Sequence, residues 1–319
     1  MPTPFARLFS IRASVGQHAL LLAAFAVLGV APPLAAQPPQ GNPAAPAASP
    51  AASEPEYGPA KGTLVIAGGG NLDGTGILEK FIALAGGPDA RIVVVPTAGG
   101  NRNANGQPIA YRAEGVEGIW KARGVTNVRM LHTHDPEVAN TEEFAAILRE
   151  ATGVWFNGGR QWNIVDSYAG TRTYDAFHAV LARGGVIGGS SAGATIQGTY
   201  LVRGAVSGSS VMMAPEPEHQ NAFNFLRRSA IDQHIDTRNR WNDLRPVMER
   251  FPDLLGIGIS ESTAIVVRAD TFEVIGRSKV AVHDNTRKAP AGETTYLTLS
   301  AGEKYDMKGR RILSGAGDR

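Results

Sequence analysis

The 319-residue chain contains no cysteine. That excludes disulfides, a thiol nucleophile and thiolate metal sites, and it leaves the redox compartment open. An excess of charge of one sign is missing too: 31 basic and 29 acidic residues leave a net +2. No block of like charge stands out, so there is no electrostatic footprint for nucleic acid or an anionic membrane surface. Aromatic residues are sparse at 7%, but 43% hydrophobic and 19% charged residues suit a soluble protein with a substantial core. No Gly-Lys pair occurs, which excludes a P-loop. The apolar run Ala19–Val30 covers 12 residues, too few for a comfortable membrane span.

With Arg7 and Arg12 before it and Leu34-Ala35-Ala36 after it, that run fits a secretory signal peptide cut near Gln37. An uncut membrane anchor is the alternative reading. The absence of cysteine excludes lipoprotein attachment. Residues 1–36 are thus assigned to the signal and residues 37–58, rich in Pro, Ala, Gln and Ser, to a linker. Residues 59–319 are long enough for one large domain and show no internal repeat.

In that domain short apolar runs alternate with helical patterns. Strands are predicted at Thr63–Ala67, Arg91–Pro96, Asn127–Leu131, Gly153–Phe156 and Gly185–Gly188. Helices are predicted at Ile77–Ala85, Tyr111–Arg123, Glu142–Glu150 and Tyr174–Arg183. Strands that are apolar throughout are buried on both faces, and strand–helix alternation means parallel crossovers. The expectation is an α/β fold with a doubly wound, mostly parallel sheet, followed after Gly256 by a β-rich part. Sites are expected in loops at the carboxyl ends of the strands.

One such loop, Gly188-Gly189-Ser190-Ser191-Ala192-Gly193-Ala194, has the make-up of a nucleophile elbow. Ser191 sits in the Gly-x-Ser-x-Gly frame; Ser190, the rival, has Gly188 before it but Ala192 after it, which does not give the same glycine frame. A helix over Ala192–Tyr200 is expected to aim backbone N–H groups at an oxyanion. Gly68-Gly69-Gly70-Asn71-Leu72-Asp73-Gly74 follows a strand but does not match Gly-x-Gly-x-x-Gly, so no nucleotide is expected there. His132-Thr133-His134-Asp135 lacks a third nearby histidine, and no metal is expected.

A serine nucleophile needs a histidine base and an acid to orient it. His234 stands out among the histidines: it follows Asp232-Gln233 and precedes Arg238 and Arg240, so it reads as the edge of a site or as a surface histidine in a charged loop. Glu261 ends the apolar run Gly256-Ile257-Gly258-Ile259-Ser260, where an unpaired carboxylate is costly. Asp232 and Asp236 are its rivals.

The opening Gly62–Gly69, Phe156-Asn157-Gly158-Gly159-x-Gln161, Gly188–Ala194, Asp232-Gln233-His234 and Gly256-Ile257-Gly258-Ile259-x-Glu261 occur together in this order. In this the chain resembles cyanophycinase and its relatives, the serine exopeptidases that include aspartyl dipeptidase. The resemblance covers most of residues 61–267. It implies a fold like class I glutamine amidotransferases, Ser191 as nucleophile, His234 as general base and Glu261 as orienting acid. The oxyanion hole falls to N–H groups near Gly158, Gly159 and Ala192. Gln161, Asp232, Gln233, Arg238 and Arg240 map onto substrate-binding positions; arginines clamp carboxylates, and Asp232 suits a guanidinium. The implied substrate is cyanophycin or a related Asp/Arg peptide, with no cofactor and with a homodimer as a family trait. Two departures stand out: Asp243 where the family carries a further arginine, and Ser260 where it carries an acid. They keep open an aspartyl or isoaspartyl dipeptidase that does not use cyanophycin, and a peptide-binding protein on the same fold.

Overall fold

The computed structural model describes residues 54–103, 105–286 and 294–313. The expected signal peptide and most of the expected linker lie outside the described residues. The linker expected through 58 gives way to packed chain earlier. The backbone N–H groups of Glu56 and Tyr57 donate to Asp270 Oδ1 at 2.7 and 2.8 Å, and Tyr57 is buried.

Thirteen strands are described: β1 (Thr63–Ala67), β2 (Arg91–Val95), β3 (Asn127–Met130), β4 (Gly153–Phe156), β5 (Val186–Ser190), β6 (Ser229–Gln233), β7 (Leu255–Ile259), β8 (Thr263–Arg268), β9 (Thr271–Gly276), β10 (Lys279–His283), β11 (Tyr296–Ser300), β12 (Lys304–Asp306) and β13 (Arg311–Leu313). The helices are α1 (Ile77–Ala85), α2 (Ala113–Lys121), α3 (Pro136–Ala139), α4 (Glu142–Ala145), α5 (Gln161–Tyr168), α6 (Arg172–Ala182), α7 (Ala192–Thr195) and α8 (Arg245–Arg250). One sheet runs β13-β12-β9-β8-β1-β5-β4-β2-β3, with the five strands from β1 to β3 mutually parallel and the others antiparallel. A second sheet runs β11-β10-β7-β6, in which β6 and β7 are parallel.

The sequence dictates this layering. Every residue of β1, β4 and β7 is buried, so each strand needs cover on both faces. On one side of the large sheet α1 buries Ile77, Leu78, Phe81, Ile82 and Ala85, a stripe of helical spacing. Phe81 packs edge-on against Trp155 of β4 (centroids 5.1 Å apart), and Trp120 of α2 touches both rings. On the other side Phe156 meets Phe177 of α6 at 4.9 Å.

Two helices differ from expectation. The segment expected as one helix over 142–150 is a turn of α-helix followed by a 3₁₀ turn, Ala146–Arg149. The helix expected over 192–200 is the single turn α7. Ile196, Gly198 and Thr199 are poor helix formers, and the chain there finds better partners: the N–H groups of Thr199 and Tyr200 donate to Ser229 O.

Candidate active site

Ser191 follows β5 and opens α7, flanked by the ends of β1 and β4. Its backbone adopts φ 57° and ψ −114°, a conformation that costs a non-glycine residue about 1–3 kcal/mol. It is held there by Ser191 N–H donating to Ala67 O (3.0 Å) and by the N–H groups of Ala194 and Thr195 donating to Ser191 O. Gly189 and Gly193 make the elbow feasible, since a Cβ on Gly189 would sit 2.2 Å from Gly193 O.

His234 follows β6 and Glu261 follows β7, so these two come from the second sheet while Ser191 comes from the first. Ser191 Oγ lies 2.9 Å from His234 Nε2, and His234 Nδ1 lies 2.5 Å from Glu261 Oε1. With the proton on Nδ1, His234 donates to the carboxylate and accepts from the serine hydroxyl. Glu261 Oε1 also accepts from Thr237 Oγ1 (3.0 Å), and Glu261 N–H donates to Asp236 Oδ1 (3.0 Å). Asp236, a rival for the orienting acid, thus holds the Glu261 backbone. Burial pushes the His234 pKa below its ordinary value against the Glu261 hydrogen bond, with Arg238 and Arg240 adding repulsion. The imidazole is therefore neutral near pH 7, the form that accepts a proton.

The run Gly68-Gly69-Gly70, where no nucleotide was expected, makes room for this pair. A Cβ on Gly69 would meet His234 Cε1 at 2.2 Å, and one on Gly70 would meet Glu261 Oε2 at 2.6 Å. Gly68 O accepts the His234 N–H (3.0 Å) and Gly69 O the Ser262 N–H (2.9 Å). A run of three glycines at a strand's carboxyl end was the available signal, and it speaks for close approach as readily as for a phosphate.

Gly158 lies against Ser191: a Cβ there would be 3.2 Å from Ser191 Cβ and 3.7 Å from Oγ. Gly159 is positioned by Ala98, whose carbonyl would lie 2.1 Å from its Cβ. The N–H groups of Gly158, Gly159 and Ala192 donate to no protein acceptor among the described residues. Gly158 and Ala192 adjoin Ser191, and unengaged N–H groups next to a serine hydroxyl are of the kind that stabilises negative charge developing on a carbonyl oxygen.

The expected substrate-binding residues divide. Arg238 is exposed and its side chain has no partner among the described residues. Arg240 is largely buried, 3.4 Å from Gln233 O and 3.8 Å from Asp232 Oδ1. Gln233 is buried, with Oε1 lacking a hydrogen-bond partner. Gln161 and Asp232 are engaged by the protein itself. Gln161 Nε2 donates to Val202 O and Arg203 O, both at 2.8 Å. Asp232, proposed from the sequence as the receiver of a substrate guanidinium, already receives one: Arg203 Nε and Nη2 donate to its two oxygens at 2.9 and 3.0 Å. Arg203 Nη2 also reaches Asp243 Oδ2 at 2.5 Å. Sequence reasoning missed Arg203, because no motif surrounds it and its partners lie 29 and 40 residues away.

The two histidines weighed as metal ligands follow β3, beside the loop after β2. His132 Nδ1 pairs with Thr97 Oγ1 (2.9 Å), and its ring lies 4.9 Å from that of His134. Among the described residues no group of three His, Cys, Asp or Glu side chains is placed to hold a metal ion, and no helix is long and apolar enough to cross a membrane. A cavity of about 620 Å³ beside Arg91, Arg149 and Arg183 opens at the amino ends of the parallel strands, the opposite end from Ser191.

Residues 64–275 match peptidase family S51. Cyanophycinase of Thermosynechococcus vestitus is 32% identical over 257 residues, which cover 78% of this chain and 76% of that protein. Cyanophycinase of Geminocystis herdmanii is 28% identical over 268 residues, or 79% of this chain and 96% of that protein. Among solved structures, a peptidase from an acI-B1 Actinobacterium superposes with a TM-score of 0.57 at 21% identity, covering 79% of this chain and 98% of that one.

Proposed function

We propose that this chain, which belongs to peptidase family S51 and is therefore a serine-type peptidase, is a secreted exopeptidase of cyanophycinase type that works through an acyl-enzyme on Ser191. One observation carries the reading: the continuous hydrogen-bond chain from Ser191 Oγ through His234 to Glu261. Ser191 Oγ attacks the scissile amide carbonyl while His234 Nε2 takes its proton. Glu261 holds the imidazole in the required tautomer and stabilises the imidazolium. The N–H groups of Gly158, Gly159 and Ala192 receive the oxyanion, each contributing on the order of 3 kcal/mol. His234 returns its proton to the leaving amine, and water, deprotonated by the same imidazole, hydrolyses the ester.

The substrate class proposed is aspartate-containing peptides. Gln233, Arg238 and Arg240 border His234 in sequence, and guanidinium groups there, with no partner on Arg238 among the described residues and only long contacts on Arg240, suit a substrate carboxylate. Cyanophycin is the substrate the relatives' names suggest. A dipeptidase acting on aspartyl or isoaspartyl peptides is the second reading, and the engagement of Asp232 by Arg203 favours it. Secretion rests on the basic, apolar and small-residue order of residues 1–36; amino-terminal sequencing of the exported protein would show a start near Gln37, and an intact Met1 would refute it.

The test is mass spectrometry of products from cyanophycin and from a panel of α- and β-aspartyl peptides, with Ser191→Ala as control. Hydrolysis of one or more of these substrates by the wild type alone is the expected result. Equal hydrolysis by the Ser191→Ala protein would overturn the assignment.

A further inference from the structure

Arg203 sits in the loop after α7, and almost every polar group it has is spent inside the protein. Its backbone is left-handed, with φ 57°. Its N–H donates to Met212 O (2.9 Å) and its Nη1 to Ser209 O (2.7 Å), which closes the loop 203–212 on itself. Its carbonyl is held by Gln161 and its guanidinium by Asp232 and Asp243. Its side chain is 3% exposed and that of Asp232 is fully buried. Burial opposes the Arg203 charge, but the two carboxylates outweigh it and raise the pKa above its ordinary value.

The charges around His234 are consequently unequal in availability. Asp232 has both oxygens on Arg203, and Oδ1 also accepts the Gln233 N–H. Asp243 shares Arg203, Asp236 holds the Glu261 backbone, and Glu261 holds His234 and Thr237. Against these four engaged carboxylates stand Arg238, with no side-chain partner among the described residues, and Arg240, with one long hydrogen bond and a 3.8 Å ion pair.

Resting on the serine-peptidase reading of this site, we propose that Arg203 occupies the place a substrate guanidinium would take, so that the enzyme selects peptides presenting a free carboxylate to Arg238 and Arg240 and rejects an arginyl side chain at that subsite. A substrate cation could reach Asp232 only by displacing Arg203, which would leave a buried guanidinium without its bidentate partner. Arg203 acts through Asp232 and Asp243, as a specificity-determining residue that touches no reacting atom. Discrimination of this kind comes from what the site refuses as much as from what it holds.

The experiment measures binding without turnover. Calorimetry on the Ser191→Ala protein uses two small probes, succinate for a carboxylate and agmatine for a guanidinium. Succinate is expected to bind and agmatine to bind at least about tenfold more weakly. In the Ser191→Ala/Arg203→Ala protein the opened carboxylate pair is expected to gain agmatine affinity by at least about tenfold. Agmatine binding in competition with succinate while Arg203 is present would overturn the proposal, and so would a failure of succinate to bind. An unchanged agmatine affinity in the folded double variant overturns it too; if that variant fails to fold, the single-variant probe comparison decides alone. If the probes behave as expected but no peptide is hydrolysed, the proposed function falls and this inference stands.

Discussion

Replacing Gly69 with alanine tests whether the Ser191–His234–Glu261 geometry is the working site, without touching any of the three. A Cβ there would lie 2.2 Å from His234 Cε1, 2.7 Å from Nε2 and 2.8 Å from Nδ1. Carbon atoms in ordinary contact are roughly 3.5 Å apart, so the ring or the backbone must give by about 1.3 Å. The backbone is pinned on both sides, by Gly68 O on His234 N–H, Gly68 N–H on Thr263 O and Gly69 O on Ser262 N–H. The ring therefore moves, and its 2.9 Å contact with Ser191 Oγ is lost. A misplacement of about 1 Å costs on the order of 100-fold in rate, so kcat should fall at least that far. Gly69 also has φ +112°, so alanine adds about 1–3 kcal/mol of backbone strain. Gly76→Ala is the matched control: its φ is +78°, but nothing lies within 4 Å of its Cβ. It should lower the melting temperature and leave kcat alone. Steady-state kinetics on an aspartyl peptide, beside thermal melts of both variants, makes the comparison. A folded Gly69→Ala protein with kcat within about threefold of wild type would refute the reasoning.

Three further outcomes follow from the same geometry. Glu261→Gln removes the charge behind the imidazole and should lower kcat by roughly 10²–10⁴-fold with little change in KM, read from Michaelis curves; an effect confined to KM would argue against an orienting role. The acid limb of kcat/KM should have its midpoint below the ordinary histidine value of 6.5, because burial depresses His234 and activity needs it neutral; a midpoint above 6.5 would contradict that. His283 is 3% exposed and burial pushes its pKa down to about 4. The unfolded chain takes up this proton first as pH falls. The stability is therefore whole above pH 6.5, declines from there and is lost by about pH 4, by up to about 3 kcal/mol. Urea melts across that range should show the decline in wild type and a smaller one in His283→Gln.

Much of the scaffold was legible in the chain. β1, α1 and β4 have the expected bounds, because continuous apolar runs and a clean helical stripe leave one way to bury them. For the candidate site, local rules singled out a glycine-framed serine but left His234 and Glu261, each where an apolar strand ends, with alternatives that only the family resemblance narrowed. What escaped depends on partners remote in sequence. Arg203 looks like any loop arginine until β6 and the 240s are folded beside it. The glycines at 68–70 carried a signal with two physical meanings, and only the neighbouring rings distinguish them. α7 is one turn because Ser229, far along the chain, offers its carbonyl to residues that periodicity alone would extend into a helix.

Ser191 and its two partners stand on different sheets. Neither sheet owns the site, which exists only while the two remain in register. On the proposed function, turnover thus reports on tertiary docking in a way that spectroscopy of the backbone cannot. In mild denaturant, a small slip between the sheets would silence turnover while the strands kept their hydrogen bonds and the far-ultraviolet signal stayed whole. Restoring the register would return activity at the speed of docking, without refolding.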